Sequence, residues 1–217
     1  MLKAVIFDMD GVIVNSEAVY HRCEIKIAEL NGLPLTISDF SQYEGIYLST
    51  MWQELKEKYT LDINVSSIIE QEEAMMREYY SNGYLDVISE TVDLIRFLHS
   101  KGVLCAIATS SITESALAVI SRLDLSKYIE TMVSGSLVLK CKPFPDIFLK
   151  CLETIHAIPD ECVVVEDSMS GCIAAKTAKL KVIGYRNPFS RKQDLSHADV
   201  IVDNIGEIDL KMLHRLT

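Results

Sequence analysis

The chain has 217 residues, 49% of them hydrophobic, enough to bury a sizeable core in one large domain or in a domain with a smaller module. Its 31 acidic against 21 basic residues leave a net charge of -10 and a pI of about 5.0, which excludes nucleic acid and anionic membrane surfaces as expected partners. Six cysteines lie mostly in apolar stretches without a CxxC pair, no secretory leader precedes the first strand pattern, and no apolar run approaches the roughly 20 residues of a membrane span, so a reduced, cytoplasmic protein without a membrane segment is expected.

AVIF at 4–7 is a short run apolar on both faces, as a central parallel strand is. From about 16 to 85 the strand rhythm breaks. SEAVYHRCEIKIAELNG, STMWQELKEKY and SSIIEQEEAMMREYY each predict an amphipathic helix, with no good strand between them. TVDLIRFLHSKG then predicts a helix closed by Gly102, followed by a strand at 103–108, VLCAIA. The helix TESALAVISRL, a weaker strand at 130–134, the helix PDIFLKCLETIHA, the strand CVVVE at 162–166, the helix SGCIAAKTAKL, the strand KVIGY at 181–185 and a weaker strand at 198–202 complete the chain. Strand and helix in alternation predict an α/β fold, a doubly wound parallel sheet with an inserted all-helical segment. Because the insert leaves directly after the first strand, it is expected over the carboxyl edge of the sheet, where such folds place their ligands.

Four places set polar groups at a strand end: Asp8 and Asp10; Thr109 with Ser110 and Ser111; Lys142 in KCKPFPD; and Glu166 with Asp167. Singly, each reads as a turn, a solvated loop or a helix cap, with Ser111 or Thr113 and the Glu-Asp-Ser stretch as capping candidates. Together they converge on one edge. Carboxylates so crowded repel by about 4 kcal/mol per close pair at an effective dielectric near 20, so a positive charge is required. An all-oxygen set without His or Cys selects a hard ion such as Mg²⁺, and a lysine with hydroxyls completes the donors for a phosphoryl group. The spacing of two between Asp8 and Asp10 lets one carboxylate attack phosphorus while the other moves protons.

FDMDGVIVNSE, ATSS, CKPFPDIF and VVVEDSMSGCIAA resemble, in order, the four motifs of the haloacid dehalogenase-like superfamily, and the helical insert resembles the cap of the subfamily containing β-phosphoglucomutase and many small-molecule phosphatases. The resemblance implies a Rossmann-like core of residues 1–15 and 88–217 and a cap of residues 16–87. It implies Asp8 as a nucleophile forming an aspartyl phosphate and Asp10 as general acid/base with its carbonyl on Mg²⁺. Thr109, Lys142, Ser110, Ser111 and the turn at Gly11 would serve the phosphoryl group, with Lys142 favoured over Lys140 for the lysine. Asp8, Asp10, Glu166 and Asp167 would form the metal site, Glu166 either as a ligand or one step behind it. The implied substrate is a small phosphorylated metabolite, and the implied state is a monomer.

Asp10 argues against the dehalogenases and phosphonoacetaldehyde hydrolases, which lack a second aspartate. Against a mutase stands the loop QYEGIYLST: Glu44 and Leu48 occupy the positions where β-phosphoglucomutase carries a lysine and an arginine for a second phosphate. Tyr20 stands where the mutase has a cap histidine, and the neighbouring His21 reads as an exposed or capping residue. Hydrolysis of a small phosphate monoester such as a sugar phosphate is therefore expected. A phosphoacceptor receiver domain, the non-enzymatic alternative, has neither a cap nor this DxD pair. Tyr43, Tyr47 and Trp52 read as core residues or as pocket lining. Two departures concern the scaffold: Lys179 stands where the family has glycine after a helix, so it takes a left-handed conformation or the helix ends otherwise, and Ser89-Glu90 replaces the usual Pro-Gly at a second hinge near 84–90.

Overall fold

The structure is a computed structural model that describes residues 1–43, 48–82, 85–189 and 193–217. β1 (Ala4–Phe7) is followed by the helices α1 (Glu17–Leu30), α2 (Ile37–Phe40), α3 (Leu48–Tyr59) and α4 (Val65–Ser81). The chain then runs through α5 (Ser89–Ser100), β2 (Leu104–Thr109), α6 (Thr113–Arg122), β3 (Thr131–Ser134), α7 (Asp146–Thr154), β4 (Cys162–Glu166), α8 (Met169–Thr177), β5 (Lys181–Tyr185), β6 (Val200–Val202) and α9 (Leu210–Leu216). Among the described residues the strands form one parallel six-stranded sheet in the order β3-β2-β1-β4-β5-β6. Winding reverses at β1, which opens a crevice at the carboxyl ends of β1 and its neighbours.

Both faces of the sheet are covered, which explains why its strands read as continuous apolar runs. Val5 and Phe7 of β1 face a core built with α5 and α6, while Ala4 and Ile6 face one built with α7 and α8. Strand register sets the site: Phe7 pairs with Ile107 and with Val165, so the residues that follow, Asp8, Ala108 and Glu166, emerge side by side. The helical segment has its own apolar centre, in which Trp52, Phe40, Ile27 and Leu55 are fully or almost fully buried. α4 packs on α1 and α3 and also on α6 of the sheet layer.

The two crossings between sheet layer and helical segment lie together. Asn15 N–H donates to Asp86 O at 2.7 Å and Ile88 N–H to Ile13 O at 2.9 Å, with Val14 opposite Val87. The return crossing is therefore Asp86–Ile88, and Ser89 and Glu90 are already the first residues of α5 rather than hinge. Val103 belongs to a helix exit rather than to β2, because its N–H bonds to Leu98 O around a left-handed Gly102. Lys179 adopts the same left-handed backbone, φ 65°, with Leu180 N–H on Ala175 O. Cys23, Cys105, Cys151, Cys162 and Cys172 are free and buried, and Cys141 is partly exposed. No described helix is long and apolar enough to cross a membrane.

Candidate active site

Lys142 enters from the loop after β3 and is buried. Its Nζ donates to Asp8 Oδ1 at 2.8 Å, to Glu166 Oε1 at 2.6 Å and to Ala108 O at 3.1 Å. Lys140 is exposed and lies over the Phe144 ring, so Lys142 is the lysine in the cluster. Glu166 is fully buried, and its Oε2 accepts from Ser168 N at 2.8 Å and Ser168 Oγ at 2.9 Å. Oxygens of Asp8, Glu166 and Asp167 lie within 4.8 Å of one another.

Asp10 faces the other way. Its Oδ2 accepts from Ser111 Oγ at 2.7 Å and from Thr109 Oγ1 at 3.2 Å, while its Oδ1 is buried without a hydrogen-bond partner among the described residues. With the Ser111 hydroxyl proton spent on Asp10, the Tyr20 hydroxyl of α1 donates to Ser111 Oγ at 3.1 Å. A hydrogen-bonded chain thus joins the helical segment to Asp10.

Ser111 was a candidate for phosphate contact or for capping α6. It lines the cleft, its N–H donates to Thr109 Oγ1 at 3.0 Å, and it does not cap α6, where Ile112 stands at the cap position without a side-chain bond. Thr113 is not a cap either, since its hydroxyl meets Ser134 Oγ at 2.7 Å. Ser168 does cap α8, accepting from Gly171 N–H.

Two glycines allow the carboxylates to crowd. Gly11 has φ +77°, and a Cβ there would fall 1.9 Å from Asp167 Oδ2; at Gly171 a Cβ would fall 1.6 Å from Glu166 Oε1. The reading of the sequence missed Gly171, although a glycine three residues behind the cap of a helix that starts at two acids was the available signal. It missed Asn187 as well, whose Nδ2 donates to Gly11 O at 2.9 Å and Asn15 Oδ1 at 2.8 Å, tying the turn after β1 to the end of β5.

The electrostatics show a shortage of positive charge. Burial is the largest influence on Asp8 and, with Glu166 and Asp10 adding to it against the pull of Lys142, raises its pKa to about 7. Burial, then Glu166 and Asp8, push Asp167 well above the usual carboxylate range. Burial opposes the Lys142 charge, but Asp8 and Glu166 outweigh it and hold the ammonium charged. One cation among these carboxylates leaves an all-oxygen, net negative cluster, which fits a hard divalent ion.

Above this floor is a cleft of about 180 Å³, closed on the other side by the helical segment. Asp8, Asp10, Ser110, Lys142 and Asp167 line its floor, and Tyr43, Leu48, Met51 and Ile69 part of its roof. Trp52 is absent from the lining because it is core. Its ring packs edge-on against Phe40, and its Nε1 donates to Glu72 Oε2 at 2.7 Å. His21 is not simply exposed: it lines the cleft, with Nδ1 2.8 Å from Glu24 Oε2. Glu44 and Tyr47 lie outside the described residues.

The profile of the haloacid dehalogenase-like hydrolases matches residues 5–185, most of the chain and every strand of the sheet but β6. The chain belongs to that family. It is 34% identical over 188 residues to a phosphorylated carbohydrates phosphatase of Thermotoga maritima, an alignment covering 84% of each chain. To the beta-phosphoglucomutase of Bacillus subtilis it is 28% identical over 229 residues, 98% of this chain and 94% of that one. CbbY from Rhodobacter sphaeroides, solved in complex with phosphate, has the same fold, with a TM-score of 0.88 at 20% identity over 99% of this chain and 100% of the other. This haloacid dehalogenase-like chain is an enzyme, and the cluster at the carboxyl ends of β1, β2 and β4 is its candidate active site.

Proposed function

We propose that this enzyme hydrolyses a small phosphate monoester such as a sugar phosphate, through a phosphoryl group carried on Asp8, with residues 1–15 and 88–217 as catalytic core and 16–87 as cap. The reading rests on one observation above others: among the described residues lining the cleft, Lys142 is the only lysine or arginine. One cation beside one nucleophile suits one phosphoryl group. A beta-phosphoglucomutase-type transfer, the alternative, needs a second anion site for a bisphosphate.

In the forward step an Asp8 carboxylate oxygen bonds to phosphorus as the ester P–O bond breaks, and Asp10 gives its proton to the departing oxygen. Asp10 then takes a proton from water as that water attacks phosphorus, releasing phosphate and restoring Asp8. Oδ1 of Asp10 is the oxygen free to carry this proton, because Ser111 and Thr109 hold Oδ2. Lys142, the Thr109 hydroxyl, Ser110 and the backbone at Gly11 hold the phosphoryl oxygens, and Ser111 positions Asp10. Asp8 and Asp167, with Glu166 beside or behind them and the Asp10 carbonyl, would hold Mg²⁺, which when bound neutralises charge on the transferring phosphoryl group.

The test is Mg²⁺-dependent phosphate release from p-nitrophenyl phosphate and from a panel of sugar phosphates. Asp8→Asn is expected to lose at least about a thousandfold in kcat. Equal rates in variant and wild type would overturn the assignment. Fast conversion of β-glucose 1-phosphate to the 6-phosphate in the presence of the 1,6-bisphosphate would favour the mutase.

A further inference from the structure

The chain of hydroxyls that reaches Asp10 begins on the helical segment. Tyr20 lies one turn into α1, the helix that leaves the first crossing, and its backbone N–H closes that turn on Ser16 O at 3.0 Å. Its hydroxyl lies 3.1 Å from Ser111 Oγ, and Ser111 Oγ lies 2.7 Å from Asp10 Oδ2, contacts that span 91 and 101 positions of the chain. All three residues line the cleft. A residue of the segment that closes the site thus touches a group of its floor.

Counting protons gives the contact a direction. A serine hydroxyl carries one proton on a C–O bond that turns, and its oxygen accepts as well as donates. That proton serves Asp10, so the phenol, protonated at neutral pH, is the donor to Ser111. A bond accepted at Oγ fixes the rotor with its proton aimed at the carboxylate, and it polarises the hydroxyl into a stronger donor. Thr109 Oγ1, the other donor to Asp10 Oδ2, accepts from Ser111 N–H at 3.0 Å, so both bonds that hold Asp10 meet at Ser111.

We propose that Tyr20 is a positioning residue for Asp10, acting through the Ser111 hydroxyl: the helical segment, seated over the sheet layer, supplies the bond that keeps Asp10 held by Oδ2 and leaves Oδ1 for proton transfer. This rests on the monoester-hydrolase reading above. The role gives Tyr20 no contact with the substrate, so its loss shows in turnover rather than in substrate binding. It also shows only while Ser111 is there to transmit it.

The experiment is a double-mutant cycle on the full chain, with Mg²⁺ and p-nitrophenyl phosphate: wild type, Tyr20→Phe, Ser111→Ala and the two changes together. Tyr20→Phe keeps the ring and its packing; it is expected to lower kcat about fivefold with KM within about twofold, the size of one neutral hydrogen bond. In the Ser111→Ala background the same change should lower kcat by less than about twofold, because the group it acts through is gone. A residue that only packs the helical segment on the sheet layer would lower kcat by the same factor in both backgrounds, and that result overturns the proposal. So does a Tyr20→Phe variant with the kcat of wild type, or a loss carried by KM instead of kcat, which would make Tyr20 a substrate contact. Absence of phosphate release by wild type from p-nitrophenyl phosphate and from every sugar phosphate would instead overturn the hydrolase reading, and the proposal with it.

Discussion

Asp10 is gripped through one carboxylate oxygen only, and the shorter of the two bonds comes from Ser111 Oγ at 2.7 Å. Removing that donor frees the side chain to rotate away while leaving Lys142, Thr109 and Ser110 in place. Ser111→Ala is therefore expected to lower kcat about tenfold and leave KM within about twofold, the size of one hydrogen bond to a charged acceptor. Steady-state kinetics on p-nitrophenyl phosphate checks it, and an unaltered kcat would show that Thr109 alone suffices. This role was hidden in the sequence, because Thr-Ser-Ser before a helix has the look of a cap and only a contact spanning 101 positions reveals otherwise. The reacting groups were legible since carboxylates, a lysine and a hydroxyl at strand ends have few other uses together. Glu72 was illegible for the opposite reason: an acid in the middle of a charged helix reads as solvated, and only burial beside Trp52 makes it otherwise. Its pKa, raised by burial to about 8, carries a sign. Between the ordinary carboxylate range and about 8, the folded protein keeps a proton that the unfolded chain gives up, so Glu72 makes stability fall as pH rises through that window. Glu72→Gln removes this dependence. In denaturant titrations at pH 5 and pH 8, the stability of the variant relative to wild type should rise with pH by roughly 2–4 kcal/mol.

At the level of elements, strands β1, β4 and β5 match their sequence-based spans, because fully buried parallel strands are continuous apolar runs bounded by polar residues. The short α2 and the terminal α9 were not anticipated; neither is long enough to show a helical repeat, and both are fixed by caps, Asp39 on Thr36 N–H and Asp209 on Met212 N–H. The end of α8 was legible in a more useful way. Lys179 is exposed and held at φ 65°, in the closing geometry that Gly102 provides after α5. A side chain in that conformation costs about 1 kcal/mol that glycine avoids. Lys179→Gly should stabilise the protein by about that amount and raise Tm by about 2–4 °C, with kinetics unaffected. A lower Tm would mean that the lysine makes a compensating contact.

For the whole molecule, the dominant fact is that the fold gathers like charges at the place where it reverses its winding. Asp8, Glu166 and Asp167 meet there because strand register brings them to one edge and two glycines leave room for them to crowd, and Lys142 offsets only part of their repulsion. A folded state that crowds three carboxylates so closely should be relieved by a cation that the unfolded chain cannot bind in the same way. Stability is then linked to Mg²⁺ by mass action: at a hundredfold excess over Kd the gain is about 2.7 kcal/mol, or roughly 5–10 °C in Tm for a chain of this length. Thermal unfolding with Mg²⁺ against EDTA reads this without any substrate. Asp167→Asn gives the complementary result. Without metal it should be at least as stable as wild type, since it removes one charge from the cluster, and Mg²⁺ should add little to it. A wild-type Tm indifferent to Mg²⁺, or an Asp167→Asn variant that responds as wild type does, would mean that the carboxylates are balanced within the protein and that the site is not one for a cation.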